Sequence, residues 1–341
     1  MLDMVNTLIQ HSLSEHSNCI ITMHCNLSSA SVAMRVLSRP GRRSSFAPLR
    51  SARFISSQPF DPKTYTPNNS FNTEVVSGLL KKSILKDIPE REAKTRIELA
   101  ATYRLFELAG WNENITNHIS AKIVEEDGSE SFLLNAYGLK YGEITASSLV
   151  KVDYEGKIKN PGVTGDLFGI NDAGFVIHSA IHKARPELAS VMHCHYPPAT
   201  GIACSREGYL PLAQTSHQVG PVAYHDYNGI VVDRKEQKSL VEDAGDRSIM
   251  LLRNHGVISV GKSISEAWYE MYQFLKAAEI QVAAMACAGG NTQRLIIPSS
   301  KLAEKTHHAF HEGGFSGSEY GTKELSAYMR WLDTVDDSYR T

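Results

Sequence analysis

The sequence predicts an α/β domain in which helices pack on a largely antiparallel sheet. Hairpin signals and amphipathic helical stretches alternate along the chain, a distribution typical of that class. With 341 residues and 42% hydrophobic content, the chain can bury a sizeable core. We expect a main domain at residues 71–300, an extension at residues 1–70, and a second extension with a short helix at residues 301–341.

One helix and two hairpins have clear local signals. A helix is predicted to begin after Pro89 and to stop at Gly110, because apolar residues recur at helical spacing between them. Antiparallel hairpins are predicted around the turn residues 126–128 and 154–156.

Further elements are predicted in the second half of the chain. Residues 175–184 are expected to form a helix and residues 229–232 a short strand. Ser263 and Glu266 have the spacing of a capping box, which opens another helix. From Asn291 onward, a glycine-containing loop and a short terminal helix are expected.

Residues 1–70 differ in composition from the rest of the chain. Serine, arginine and proline are abundant, and no acidic residue occurs between His16 and Phe60. These features predict disorder. The arginine- and serine-rich stretch from Met34 to Gln58 is typical of a mitochondrial presequence. The expected location is therefore cytoplasmic, or mitochondrial if translation begins at Met34.

The overall composition argues against several partners. The 35 basic and 37 acidic residues give a formal net charge of −2, which does not favour nucleic acid or an anionic membrane. No apolar run approaches the ~18 residues of a membrane span. The five cysteines have no CxxC spacing, which argues against a disulfide framework or a cysteine-based zinc site and indicates a reducing compartment.

Histidines lie at the ends of two predicted buried strands. His193 and His195 share one face of the first strand, whereas Cys194 points to the other. The second strand, residues 248–253, leads to His255. A His-x-His pair can begin a divalent metal site, although two polar residues closing a strand is the simpler interpretation of the pair alone. The third histidine, beside Gly256, favours the metal site because glycine permits close backbone approach.

Several motifs occur together in a recognisable order. They are GW at residues 110–111, ITNHIS at 115–120, YGLKYGEITASSLVKV at 137–152, the His193/His195 pair, AYHDY at 223–227 and NHG at 254–256. Together they resemble the class II aldolase/adducin family from about residue 90 to 290, with closest similarity to the head domain of adducin.

The resemblance implies a three-layer α/β/α fold, a homo-oligomer that is commonly a tetramer, and active sites at subunit interfaces. It also implies a divalent ion bound by three histidines, which here are His193, His195 and His255. Zn2+ is the expected ion, although Fe2+, Mn2+ or Co2+ would bind similar ligands.

Two departures from the family bear on the reaction. Aldolases and epimerases of the family place a catalytic glutamate before the His-x-His strand, and the matching position here is Gly174. Phosphosugar-binding members use runs of hydroxyl residues and glycine to cradle the phosphate, whereas the matching segments here are residues 115–118 and 134–138. An unphosphorylated substrate is therefore expected.

These features favour a metal-dependent lyase that cleaves a carbon–carbon bond of a small unphosphorylated oxo-acid, and decarboxylation in particular. Decarboxylation needs an electron sink more than a base, and a divalent ion with an open position supplies the sink. His178 and Tyr137 are the candidate catalytic residues, because each could supply a proton. His182 and His217 are further candidates, and each of the four is equally compatible with an ordinary packed or exposed side chain.

Two other functions stay open at this point. One is an aldolase or epimerase that acts on a sugar or a sugar phosphate. The other is a non-catalytic interaction or oligomerisation domain like the adducin head, which the lost glutamate would also suit. Adducins continue into a tail with a lysine-rich end, and no such tail precedes Thr341, so we expect a stand-alone enzyme domain.

Overall fold

The computed structural model describes residues 69–229, 236–311 and 320–341. They belong to a compact unit that spans Pro67–Thr341. The predicted disorder of residues 1–70 concerns residues that lie almost entirely outside the described ones, and so does most of the predicted strand at 229–232. Among the described helices, none is long and apolar enough to cross a membrane.

An eight-stranded sheet with the order β4-β3-β2-β1-β5-β8-β7-β6 forms the middle of the fold. The strands are β1 (His118–Val124), β2 (Glu130–Leu134), β3 (Val150–Val152), β4 (Ile158–Asn160), β5 (Ser190–Cys194), β6 (Ala223–His225), β7 (Ile249–Leu252) and β8 (Gly256–Gly261). Neighbouring strands are antiparallel, except for the parallel pair β6 and β7. The predicted α/β class and the largely antiparallel sheet are therefore confirmed.

Helices cover both faces of this sheet. They are α1 (Thr73–Leu80), α2 (Glu90–Ala109), α3 (Gly165–Phe168), α4 (Asp172–Ala184), α5 (Pro197–Cys204), α6 (Gln214–Val219), α7 (Glu236–Ala244), α8 (Ile264–Cys287), α9 (Ser300–His311) and α10 (Thr322–Val335). Helices α2 and α8 pack on one face, and α4 packs on the other against β1 and β5. Three layers result, as the resemblance implied.

The first helix and hairpin follow their local sequence signals. Pro89 precedes α2, and Gly110 ends it in the left-handed conformation with φ 69°. In the β1–β2 turn, the Asp127 carboxylate accepts from the backbone N–H of Ser129 at 2.9 Å, and Gly128 has φ 81°. Both predictions from the sequence are confirmed.

The start of α8 differs in detail from the predicted capping box. The hydroxyl of Ser263 accepts from the backbone N–H of Glu266 at 3.0 Å, as predicted. The Glu266 carboxylate, however, accepts from the backbone N–H of Lys262 at 2.8 Å and not from that of Ser263. The box is therefore half formed, because the carboxylate reaches one residue further back.

The C-terminal segment contains a helix that the sequence did not predict. Residues 300–311 were expected within a loop, but they form α9. None of the residues of α9 is fully buried, and the helix packs on α6. The predicted terminal helix is present as α10, which packs on α8 and α2 and buries Leu325 and Leu332.

Candidate metal centre

The three predicted histidine ligands meet because β5 and β8 are antiparallel neighbours. His195 directly follows β5, and His255 directly precedes β8, so the end of one strand lies beside the start of the other. His193 is the fourth residue of β5 and pairs with Ile258 of β8. Candidate ligand atoms of the three histidines all lie within 4.8 Å of one another. The sequence-predicted cluster is thus assembled.

Alternation along β5 places the neighbouring cysteine on the opposite face, as predicted. Cys194 is fully buried, and its sulfur lies 3.9 Å from that of Met271 in α8. Burial raises the pKa of the Cys194 thiol to about 12, so it is not a thiolate ligand. The two faces of β5 therefore have separate roles, packing on one side and the histidine cluster on the other.

Glycine at position 256 is required for the histidines to approach. A β-carbon added there would lie 2.5 Å from the carbonyl oxygen of Cys194 and 2.9 Å from Cδ2 of His195. Asn254 takes the left-handed conformation with φ 56° in the β7–β8 turn, a conformation that asparagine tolerates. The guanidinium of Arg253 donates to the carbonyl of Ser205 at 2.7 Å and anchors the turn.

The hydrogen bonds of two histidines turn their Nε2 atoms into the cluster. Nδ1 of His193 lies 3.0 Å from the carbonyl oxygen of Val257, so Nδ1 must donate and Nε2 is left with a lone pair. Nδ1 of His195 lies 2.6 Å from the carboxylate of Glu113, so this Nδ1 also donates and its Nε2 is turned toward the cluster. The two Nε2 atoms face each other at 2.8 Å.

Two imidazole nitrogens this close must share a proton or a cation. The arrangement is that of metal-binding histidines, whose second ring nitrogen donates to a carbonyl or a carboxylate. Burial, followed by the neighbouring imidazoles, lowers the pKa of His193 well below its ordinary range. Burial, then His195, lowers the pKa of His255 to about 4. The rings of His193 and His255 are therefore neutral at physiological pH, as ligands must be, and the residues fit a divalent ion.

A fourth imidazole, which the sequence reasoning missed, lies against the cluster. His118 opens β1, pairs with His193 across the sheet, and stacks on its ring with centroids 4.9 Å apart. A β-carbon added to Gly174 would lie 2.3 Å from Cδ2 of His118. The ring of His118 therefore occupies the space next to Gly174. The ITNHIS motif contains His118, but a single histidine in a strand did not indicate this contact.

His178, a predicted catalytic residue, lies behind His118 in a buried chain of hydrogen bonds. Nε2 of His178 is 2.8 Å from Nδ1 of His118, and Nδ1 of His178 is 2.6 Å from the hydroxyl of Ser120. The same hydroxyl is 2.8 Å from Nε2 of His182. Both ring nitrogens of His178 are thus used within the protein, and His118 stands between it and the ligand cluster.

Tyr137 and His217, two further candidate proton donors, lie outside the hydrogen-bonded chain that contains His178. Tyr137 follows β2, its side chain is 42% exposed, and its backbone N–H donates to the carbonyl of Gly169 at 3.1 Å. Nε2 of His217 donates to the carbonyl of Pro211 at 2.9 Å. Within the described residues, neither side chain is hydrogen-bonded to the histidine cluster. The catalytic role of Tyr137 stays a prediction.

The loop after β2, which the resemblance matches to a phosphate-cradling segment, is closed by contacts within the protein. A β-carbon on Gly138 would lie 2.4 Å from the ring of Phe168, so that ring covers the glycine. The backbone N–H of Tyr137 is already bonded to Gly169. The side chain of Asn135 is buried and accepts from the hydroxyl of Tyr103 at 3.0 Å.

The chain has a largely antiparallel sheet between helical layers and a three-histidine cluster at the ends of two strands. These features place it among α/β proteins with a candidate metal site. Residues 97–282 match the family model described as Class II Aldolase and Adducin N-terminal domain. The chain belongs to this family, so the resemblance seen in the sequence is confirmed.

Relatives and solved structures agree with this assignment. The chain is 60% identical over 281 residues to an adducin-related protein of Schizosaccharomyces pombe, covering 82% of this chain and 87% of that protein. It is 41% identical over 256 residues to alpha-adducin of Rattus norvegicus, covering 73% of this chain but only 34% of that protein. An aldolase II superfamily protein from Pseudomonas syringae superposes with a TM-score of 0.69 at 38% identity, over 76% of this chain and all of that chain.

Proposed function

We propose that this protein is a metal-dependent lyase that decarboxylates a small unphosphorylated oxo-acid. The observation that supports the proposal most strongly is the 2.8 Å approach of Nε2 of His193 to Nε2 of His195, while Val257 and Glu113 hold the two Nδ1 atoms. A divalent ion bound by His193, His195 and His255 would act as a Lewis acid toward a carbonyl oxygen of the substrate.

The surroundings of Gly174 favour decarboxylation over aldol cleavage. Retro-aldol cleavage needs a base that removes a hydroxyl proton, whereas in decarboxylation the breaking carbon–carbon bond leaves its electron pair in the enolate and releases CO2. The position that would supply the base is Gly174, and the ring of His118 fills the space beside it. A carboxylate at position 174 would collide with that ring.

The loops around the cluster favour a substrate without phosphate. Phe168 covers Gly138, and the N–H of Tyr137 is bonded to Gly169, so the loop after β2 offers little of the free backbone that cradles a phosphate. The pKa values of His118, His178 and His193 are all lowered by burial, so the side of the site that these three rings form is uncharged.

The reaction can be tested by measuring CO2 release from a panel of 3-oxo acids, in which the carbonyl lies β to the departing carboxylate. We expect release that a chelator abolishes and that added Zn2+, Fe2+, Mn2+ or Co2+ restores, without reaction of or competition by sugar phosphates. Turnover of a phosphorylated ketose by the unmodified protein would contradict the proposal and return it to ordinary aldolase chemistry, with His178 as the first candidate base.

A second candidate function is a non-catalytic interaction domain, which the similarity to alpha-adducin supports. The two candidates differ in their need for a bound ion. An inert scaffold has no use for oriented imidazoles whose Nε2 atoms converge, so retention of that geometry favours the enzyme. Full metal content with no turnover of any oxo-acid or sugar would favour the interaction domain.

A further inference from the structure

One polar atom beside the histidine cluster lacks a partner. Nε2 of His118 forms no hydrogen bond with any residue that the structure describes, although the side chain is only 5% exposed. This nitrogen is not among the fully buried unpaired atoms of the described residues, so the small exposed part of the ring includes Nε2 and leaves it open to a ligand. The ring of His118 stacks on that of His193, which places it at the wall of the candidate metal centre.

The other ring nitrogen of His118, Nδ1, is held by a chain of buried hydrogen bonds. Nδ1 of His118 meets Nε2 of His178, whose Nδ1 meets the hydroxyl of Ser120, which in turn meets Nε2 of His182. If Nε2 of His118 carries a proton, His178 donates to His118, Ser120 donates to His178, and His182 donates to Ser120. Every bond then has one donor and one acceptor, and all three rings are neutral.

The absence of a side chain at position 174 keeps the free nitrogen accessible. A β-carbon there would lie 2.7 Å from Nε2 of His118 and would cover it. Gly174 lies in the first turn of α4, where Asn171 caps the helix by accepting from the backbone N–H groups of Ala173 and Gly174. The glycine and the histidine together therefore expose one hydrogen-bonding nitrogen next to the three ligands.

We propose that His118 is a substrate-contacting residue, whose Nε2–H donates to an oxygen of the carboxylated ligand held at the His193/His195/His255 centre. The role requires no change in the charge of His118. It fixes the orientation of the bound oxygen relative to the metal-binding histidines and so selects ligands with two adjacent oxygen groups. This inference rests on the proposed metal centre, but not on decarboxylation being the reaction.

A pair of variants of equal length separates hydrogen bonding from packing. His118→Gln retains a polar end, and His118→Met retains the length but not the donor. The probe is oxalate, titrated calorimetrically into metal-loaded protein whose metal content is measured after dialysis. We expect His118→Met to bind oxalate at least about 10-fold more weakly than His118→Gln, with equal metal content, because a hydrogen bond to a charged acceptor is lost.

Equal oxalate affinity of the two variants, or failure of the unmodified protein to bind oxalate, would overturn the inference. A loss of metal from His118→Met but not from His118→Gln would also overturn it, because His118 would then act on the ligands instead of the substrate. If the oxalate difference is found but no oxo-acid releases CO2, the inference stands and the proposed reaction fails.

Discussion

A β-carbon on Gly174 would lie 2.3 Å from Cδ2 of His118, far closer than carbon atoms pack. The contact joins the start of α4 to the start of β1, and it means that residue 174 has no space for a side chain while His118 keeps its place. The catalytic glutamate expected at this position from the family is therefore excluded by a histidine that precedes it by 56 residues along the chain, 174 minus 118.

The first prediction is that the effect of Gly174→Ala on the free energy of unfolding changes sign when the His118 ring is removed. Gly174→Ala should destabilise the protein by about 1 to 3 kcal/mol, because the added methyl group displaces a buried ring. In a His118→Ala background the same change should stabilise by about 0.4 to 1 kcal/mol, the usual effect of alanine at a helical glycine. Urea denaturation of the four proteins gives the coupling.

Gly201→Ala in α5 is the matched control, because nothing lies within 4 Å of its added β-carbon. It should be neutral or stabilising in both backgrounds. If Gly174→Ala had the same effect with and without His118, the steric account of the missing glutamate would be wrong.

The second prediction concerns Glu113, whose carboxylate orients His195. The neutral amide of Glu113→Gln is a weaker acceptor than the carboxylate, so the affinity for Zn2+ should fall by about 10-fold. This loss is at the lower end of the range for residues that hydrogen-bond a metal ligand, because the Glu113 side chain is 63% exposed. Competition with a chromophoric chelator measures this affinity. Glu126→Gln, which changes an exposed glutamate in the β1–β2 turn, should leave it unchanged; equal affinities of all three proteins would contradict the assigned role.

The third prediction is the acid sensitivity of the metal-free protein. Burial, followed by Lys122, lowers the pKa of His182 from an ordinary 6.5 to about 3. Between these values the unfolded chain binds a proton that the folded protein does not, so stability falls as the pH falls from 6.5 toward 3. The loss is up to about 1.4 kcal/mol per pH unit for each such histidine. Denaturation by urea at a series of pH values measures the slope.

His182→Asn should reduce this slope by up to about one proton, since asparagine does not titrate. A slope that is the same in the variant and in the unmodified protein would show that His182 is protonated equally in the folded and unfolded states. His178 has its pKa lowered by burial in the same direction, so some acid sensitivity should persist in the variant.

The parts of the fold that could be predicted are those with local causes. Pro89 and Gly110 mark the ends of α2, and the period of two along β5 separates Cys194 from its histidine neighbours. Even the three ligands could be predicted, because buried strands ending in histidine, and a glycine beside one of them, are visible in the sequence and match the family.

The parts that could not be predicted depend on contacts between residues that are far apart in the sequence. His118 and His178 are 60 residues apart in the sequence. Only the packing of α4 on β1 brings Nδ1 of His118 to 2.8 Å from Nε2 of His178. Glu113 lies 82 residues from His195, on a loop whose path has no signal in the sequence. Helix α9 contacts α6, where Nδ1 of His307 lies 2.8 Å from the carbonyl oxygen of Gln218, 89 residues earlier in the chain.

The central claim is that His193, His195 and His255 bind one divalent ion, and elemental analysis of the purified protein tests it most directly. We predict one equivalent of metal per chain in the unmodified protein and in His182→Asn, and much less than one in His195→Ala, since two of the three ligands cannot retain the ion through dialysis. A full equivalent of metal in His195→Ala would contradict the claim.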